Sequence, residues 1–188
     1  MPWLRDACPR CALPRPCAPC PAARQAFAGA LAPVAYEGAA RALVHALKFR
    51  GHLAAADVMA AQMAATLARA EVGDAAALVP VPFAPARRRA RGFDPADVLA
   101  RRLSARTGRP VVRCLRRSGD APRQVGSARA TRLRAGGVAA TGRAPPVALL
   151  VDDVHTTGAT LDACARALAT VGTRTVWAVT YARTVRRA

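Results

Sequence analysis

Between residues 38 and 50 the apolar positions Ala40, Leu43, Val44 and Leu47 recur at i, i+3, i+4 and i+7, the spacing that lines one face of an α-helix. The pattern predicts a helix over 38–50, ended by Gly51, which can take the left-handed conformation that closes helices. A second helix is expected from about 53 to 70, with Met59, Met63 and Leu67 on one side. The period then changes. Residues 77–82 read Ala-Leu-Val-Pro-Val-Pro, a short buried strand that breaks into a loop at its prolines. Asp94 is the expected cap of a third helix, with Pro95 at its first position and Val98, Leu99 and Leu103 lining it to about Arg106. Residues 110–115 predict another strand. Residues 118–143 are rich in Gly, Ser and Arg with weak periodicity, and predict a long mobile loop containing a short hairpin. A continuous apolar strand follows at 147–151, then a helix marked by Leu161, Ala165, Leu168 and Val171, then a last strand over 174–181.

Strands alternating with helices predict an α/β fold with a mainly parallel sheet. Ligands bind such sheets at the carboxyl ends of the strands. A chain of 188 residues can bury one sizeable core with a small appendage. The Cys- and Pro-rich start cannot form a packed core alone, so residues 1–30 are expected as a separate small element ahead of a domain over 31–188.

Hydrophobic residues make up 53% of the chain, yet no unbroken apolar run approaches the roughly 18 residues of a spanning helix. No membrane insertion is expected. Met1-Pro2-Trp3-Leu4-Arg5-Asp6 lacks the apolar centre of a signal peptide, and the expected location is cytoplasmic. The net charge of +18 suggests a polyanionic partner such as single-stranded DNA. Of the 29 basic residues 28 are Arg and only Lys48 is Lys, in a chain also very rich in Ala, so a GC-rich coding bias is a second source of the basicity. Residues 86–143 hold 16 Arg against three Asp, a net of +13. Aromatic residues are only 4% of the chain, which leaves few platforms on which single-stranded bases could stack.

The most informative stretch is 147–160, Val-Ala-Leu-Leu-Val-Asp-Asp-Val-His-Thr-Thr-Gly-Ala-Thr. An apolar strand is expected to deliver Asp152 and Asp153 at its carboxyl end. Adjacent carboxylates can accept hydrogen bonds from a vicinal diol and can hold Mg²⁺. Thr156, Thr157, Gly158, Ala159 and Thr160 then supply hydroxyls and backbone N–H groups at a helix N-terminus, where an anionic phosphate is favoured. Lys48 is the candidate for a phosphate-reaching ammonium, within its own chain or across a homodimer. Cys8, Cys11, Cys17 and Cys20 form C-x2-C-x5-C-x2-C, two hooks that can wrap one tetrahedral Zn²⁺ in a structural role. Cys114 and Cys164 sit among apolar neighbours and are expected in the core.

The 147–160 stretch resembles the phosphoribosyl pyrophosphate (PRPP) signature of type I phosphoribosyltransferases. The resemblance widens to the ComF family (ComF/GntX) through Val79-Pro80-Val81-Pro82, Arg91-Gly92-Phe93-Asp94, Gln124-Val125-Gly126, the tetracysteine start, Lys48-Phe49-Arg50-Gly51 and Ala182-Arg183-Thr184. It implies a type I phosphoribosyltransferase-like domain behind a small zinc-binding element, and a link to DNA uptake in natural transformation with competence-machinery proteins as partners. It also implies roles. Asp152 and Asp153 would hold ribose hydroxyls and Mg²⁺, and residues 156–160 the 5′-phosphate. Arg91, with Arg87, Arg88 and Arg89, would face the pyrophosphate, whose oxygens suit guanidinium forks. Arg132, with Arg129 and Arg134, would lie on a loop closing over the ligand and excluding water. The chain departs from the family pattern at Asp94-Pro95, where Asn-Gln is usual, and at Ser127, Thr131 and Ala135, where Leu, Glu and Asn are usual. Binding at 152–160 is therefore better supported than transfer. A transferase is one expectation. A non-catalytic DNA- or protein-binding competence factor on the same fold is the other.

Overall fold

The computed structural model describes residues 3–73, 76–83, 92–117 and 137–185. Among them, in chain order, are β1 (Gly29–Leu31), β2 (Val34–Ala35), α1 (Gly38–Arg50), α2 (Leu53–Leu67), β3 (Ala77–Pro80), α3 (Pro95–Thr107), β4 (Leu115–Arg117), β5 (Val138–Ala140), β6 (Val147–His155), α4 (Ala159–Ala169) and β7 (Thr175–Arg183). The main sheet runs β1-β7-β6-β3, with β2 also on β7, and every pairing in it is parallel. A separate antiparallel pair joins β4 to β5.

The run at 147–151 is apolar at every position because both faces of β6 are covered. Ala148 and Leu150 pack with α4 and the cysteine-rich start, through Leu161, Leu168, Phe27 and Cys11. Leu149 and Val151 pack with α1, α2 and α3, through Val44, Met59 and Leu99. The result is a three-layer α/β arrangement with the sheet in the middle. The cysteine-rich start belongs to one of the outer layers. The Arg10 guanidinium ties it together, donating to the carbonyls of Ala22 at 3.2 Å, Ala28 at 2.9 Å and Gln25 at 2.8 Å. Gly29 lets this segment lie against β7, since a Cβ there would collide with the Trp177 ring.

Local signals act as the sequence predicts in α1 and α3. Gly51 closes α1 at φ 64° with its N–H on the Ala46 carbonyl. Asp94 caps α3 by accepting from the Ala96 and Asp97 amides at 3.0 and 3.4 Å. Helix α2 stops at Leu67, short of residue 70.

Two strand expectations need correction. The strand expected over 110–115 contributes only a parallel bridge from Val111 to Leu78, held by Leu78 N–H on the Pro110 carbonyl and Val112 N–H on the Leu78 carbonyl, both 2.8 Å. Pro110 has no N–H to extend that ladder, and regular pairing resumes only at Leu115, against β5. The strand expected to end at 151 continues to His155, with Asp152 opposite Thr180, Val154 opposite Ala182 and His155 opposite Arg183. Backbone pairing does not require apolar side chains, so the carboxylates lie inside the strand rather than beyond it. None of the helices among the described residues is long and apolar enough to cross a membrane.

Candidate ligand cavity and cysteine cluster

At the carboxyl end of β6 a cavity of about 290 Å³ is lined by Lys48, Asp94, Arg117, Asp152, Asp153, Thr156 and Thr160, with Phe83 on its wall. Successive strand residues point to opposite faces, and this divides the two carboxylates. Asp153 turns toward α1, where its Oδ2 meets Lys48 Nζ at 2.8 Å. That pair is largely withdrawn from water, the Asp153 side chain being 7% exposed and that of Lys48 25%. Asp152 lies on the other face, beside the buried thiol of Cys164, whose pKa is pushed up to about 12 by burial and then by the Asp152 charge. Asp152 Oδ1 accepts the Asp153 N–H at 2.8 Å. Burial, and then the neighbouring Asp153 charge, raise the Asp152 carboxyl from 3.8 to about 8, against the weaker pull of that N–H and of Lys48. Asp94 is also raised by burial, opposed by the amides it caps. Arg117 donates from Nε to the Pro82 carbonyl at 3.2 Å.

The loop after β6 turns at Gly158, which is buried with φ 83° and begins α4. A side chain would be strained there and blocked, because a Cβ would sit 2.5 Å from Gln25 Oε1 and 2.9 Å from His155 Nε2. His155 is 2% exposed. Burial, then the Arg183 charge, lower its pKa from 6.5 to about 4, so it is neutral at physiological pH. Its ring meets Phe27 edge-on at 6.1 Å. Thr156, itself exposed, and the half-buried Thr160 reach the cavity, and Thr157 and Ala159 are exposed beside it, with the Thr157 hydroxyl accepting the Ala159 N–H at 3.3 Å. The first turn of α4 presents N–H groups that an α-helix cannot pair internally.

Cys8, Cys11, Cys17 and Cys20 bring their sulfurs within 4.8 Å of one another and could together hold a metal ion. The Sγ atoms of Cys11 and Cys17 are 3.7 Å apart. Burial acts to raise the Cys8 thiol, but hydrogen bonds headed by the Arg10 N–H bring it down to about 7. Burial, relieved only by the Leu13 amide and reinforced by the neighbouring thiols, pushes Cys11 up to about 12. Four thiols this close cannot all ionise without a cation among them.

The fold thus gathers Lys48, Asp152, Asp153, Thr156 and Thr160 in one cavity, keeps Thr157, Gly158 and Ala159 in the adjoining loop and helix start, and assembles the four cysteines elsewhere. Arg91 and Arg132 lie outside the described residues, as do Arg87, Arg88, Arg89, Arg129, Arg134 and the segment 124–126. Sequence reasoning missed Arg117, which is one of many Arg and reaches the cavity only through the β4–β5 pairing. It assigned Asp94 a capping role alone. It gave Arg183 no role, although a charged residue ending an apolar strand was a usable signal. No family model matches the chain, and a comparison with curated proteins finds no match.

Proposed function

We propose that the cavity binds PRPP together with Mg²⁺, in a ComF-like protein whose domain follows the type I phosphoribosyltransferase plan. One observation carries this reading: a single cavity holds Lys48, Asp152 and Asp153 next to the Thr156 and Thr160 positions that open α4. A pentose carrying a 5′-phosphate and a 1-diphosphate would need those parts in that order. The 5′-phosphate would take the hydroxyls and helix N-terminus of residues 156–160. The ribose diol would take the carboxylates. Asp152, protonated near neutral pH, can donate a hydrogen bond as well as accept one, which suits a hydroxyl pair. Asp152 and Asp153 would hold Mg²⁺, which would take the place of that proton. The ion would supply neutralisation of the diphosphate charge. Lys48 and Arg117 would add positive charge on the protein's side. Arg91 and Arg132 keep the roles that the family resemblance implies, in charge stabilisation of the leaving pyrophosphate. Should catalysis occur, the acceptor itself would attack the ribose carbon.

The metal of the cysteine cluster is assigned as Zn²⁺ in a structural role. Tetrahedral thiolates at about 2.3 Å from zinc stand about 3.8 Å apart, close to the 3.7 Å between Cys11 and Cys17. A link to DNA uptake rests on the ComF resemblance, and the charge of +18 is compatible with a nucleic-acid partner.

Isothermal titration with PRPP and Mg²⁺ tests the site. Binding to the wild type that Asp152→Ala weakens by about tenfold or more would support it, the loss expected when a charge-assisted contact is removed. No binding to a folded wild type would overturn it. Pyrophosphate release over a panel of bases and amines then separates a transferase from a binding module. Single-stranded DNA retention across a salt series tests the DNA-binding alternative.

A further inference from the structure

Arg183 ends β7 and is 4% exposed. Its Nε donates to the Cys11 carbonyl at 2.8 Å. Its Nη1 donates to the carbonyls of His155 at 2.8 Å and Thr184 at 3.2 Å, and also to that of Thr156. One guanidinium therefore joins a cysteine of the metal cluster to the first residues of the loop after β6. A second bridge runs beside it. Gln25 Nε2 donates to the Thr157 carbonyl at 2.9 Å, and the Ala26 N–H donates to Asp162 Oδ1 at 2.6 Å in the first turn of α4. Gly158 fits beneath Gln25 with no room for a Cβ.

The carbonyls of His155, Thr156 and Thr157 are thus held in succession by two side chains. In a trans peptide the N–H points opposite to the C=O. Holding each carbonyl therefore fixes the direction of the next N–H, so Arg183 and Gln25 set the directions of the Thr156, Thr157 and Gly158 N–H groups. Successive N–H groups on one side of a loop form a concave seat for an anion. The Cys11 peptide that Arg183 grips belongs to a residue whose sulfur lies in the cluster. A metal that draws the four sulfurs together fixes that peptide as well.

We infer that Arg183 and Gln25 are positioning residues, through which metal occupancy of the cysteine cluster sets the affinity of loop 156–160 for a phosphoryl group. The inference rests on the phosphate-site reading above, and its test keeps the two apart. Hydrogen exchange across 155–160 is followed in zinc-loaded and chelated protein, for the wild type and for Gln25→Ala and Arg183→Lys. Ribose 5-phosphate without Mg²⁺ is titrated in parallel. Chelation should speed exchange across 155–160 and weaken ribose 5-phosphate binding about tenfold in the wild type, a typical coupling between sites. In zinc-loaded Gln25→Ala the same segment should exchange faster and bind about fivefold more weakly, the worth of one hydrogen bond. Arg183→Lys, which cannot reach several carbonyls at once, should shrink the metal effect. Unchanged exchange across 155–160 on chelation overturns the inference, as does a full metal effect in both variants. If chelation unfolds the chain, seen as exchange in β3, zinc-loaded Gln25→Ala decides: faster exchange at 155–160 with none at 8–20 supports the link, and wild-type exchange refutes it. If the wild type binds no ribose 5-phosphate while exchange responds to zinc, the phosphate reading fails and the positioning link stands.

Discussion

Replacing Asp152 with Asn should stabilise the protein at pH 8 and flatten its dependence on pH. The folded state raises the Asp152 carboxyl from 3.8 to about 8, by burial and then by the charge of Asp153. Between those values the folded chain holds a proton that the unfolded chain has released, so stability falls as pH rises. His155 works the other way. Its pKa is lowered from 6.5 to about 4, so it adds stability as pH rises across that interval and nothing further above it. The two slopes oppose each other below pH 6.5 and only the Asp152 slope survives above it. Integrating that slope from pH 6.5 to 8 gives about 1–2 kcal/mol, which for a chain of this size is a fall in Tm of about 5 °C.

The assay is thermal unfolding of metal-loaded protein in steps from pH 6.5 to 8, wild type beside Asp152→Asn. Metal loading keeps the cysteine thiols from titrating in the same window. Asn retains the shape and the oxygen that accepts the Asp153 N–H at 2.8 Å, so the difference between the two curves isolates the carboxyl proton. The difference should widen with pH in favour of the variant. Mg²⁺ should narrow it again by stabilising the ionised carboxylate. Parallel curves would show that Asp152 ionises normally and would refute the electrostatic account of the cavity.

Three further outcomes are expected. Lys48→Met strips the partner from Asp153, whose side chain is 7% exposed, and should cost about 2–4 kcal/mol in denaturant unfolding, as for a buried pair cut on one side; adding Asp153→Asn should return much of it. Gly158→Ala forces a Cβ to within 2.5 Å of Gln25 Oε1 at φ 83° and should cost about 2 kcal/mol or more, with part recovered in the Gln25→Ala background; full additivity in that double-mutant cycle would contradict the packing. Native mass spectrometry should find one metal ion per chain, lost in Cys11→Ser, and two ions or none in the wild type would sink the four-thiolate centre.

The legible parts of this fold carry local instructions. Helix α1 has its stripe of Ala40, Val44 and Leu47 and its terminating Gly51; α3 has Asp94 and Pro95. The illegible parts are set by partners far away in the chain. Strands β1 and β2 are three and two residues long, too short to show a period, and exist because β7 offers them an edge. Strand β4 depends on β5, across twenty residues of intervening chain. In the candidate site, the 152–160 motif and the four cysteines could be picked out from residue type and spacing. Arg117 and Gln25 could not, since each acts through contacts that only the folded chain creates; Arg183 stood out as a charge ending an apolar strand, but its partners are set by the fold.

The strand geometry also alters what the adjacent carboxylates can do. Read as the end of a loop, Asp152 and Asp153 look interchangeable. Inside β6 they face opposite layers, and only Asp153 has Lys48 within 2.8 Å. With every carboxyl ionised, the described lining residues would set Asp94, Asp152 and Asp153 against Lys48 and Arg117, an excess of negative charge that repels phosphates. A proton on Asp152 balances that set, and a divalent cation in its place reverses the sign. Polyphosphate affinity should therefore depend on the cation, and that dependence should be carried by Asp152 more than by Asp153.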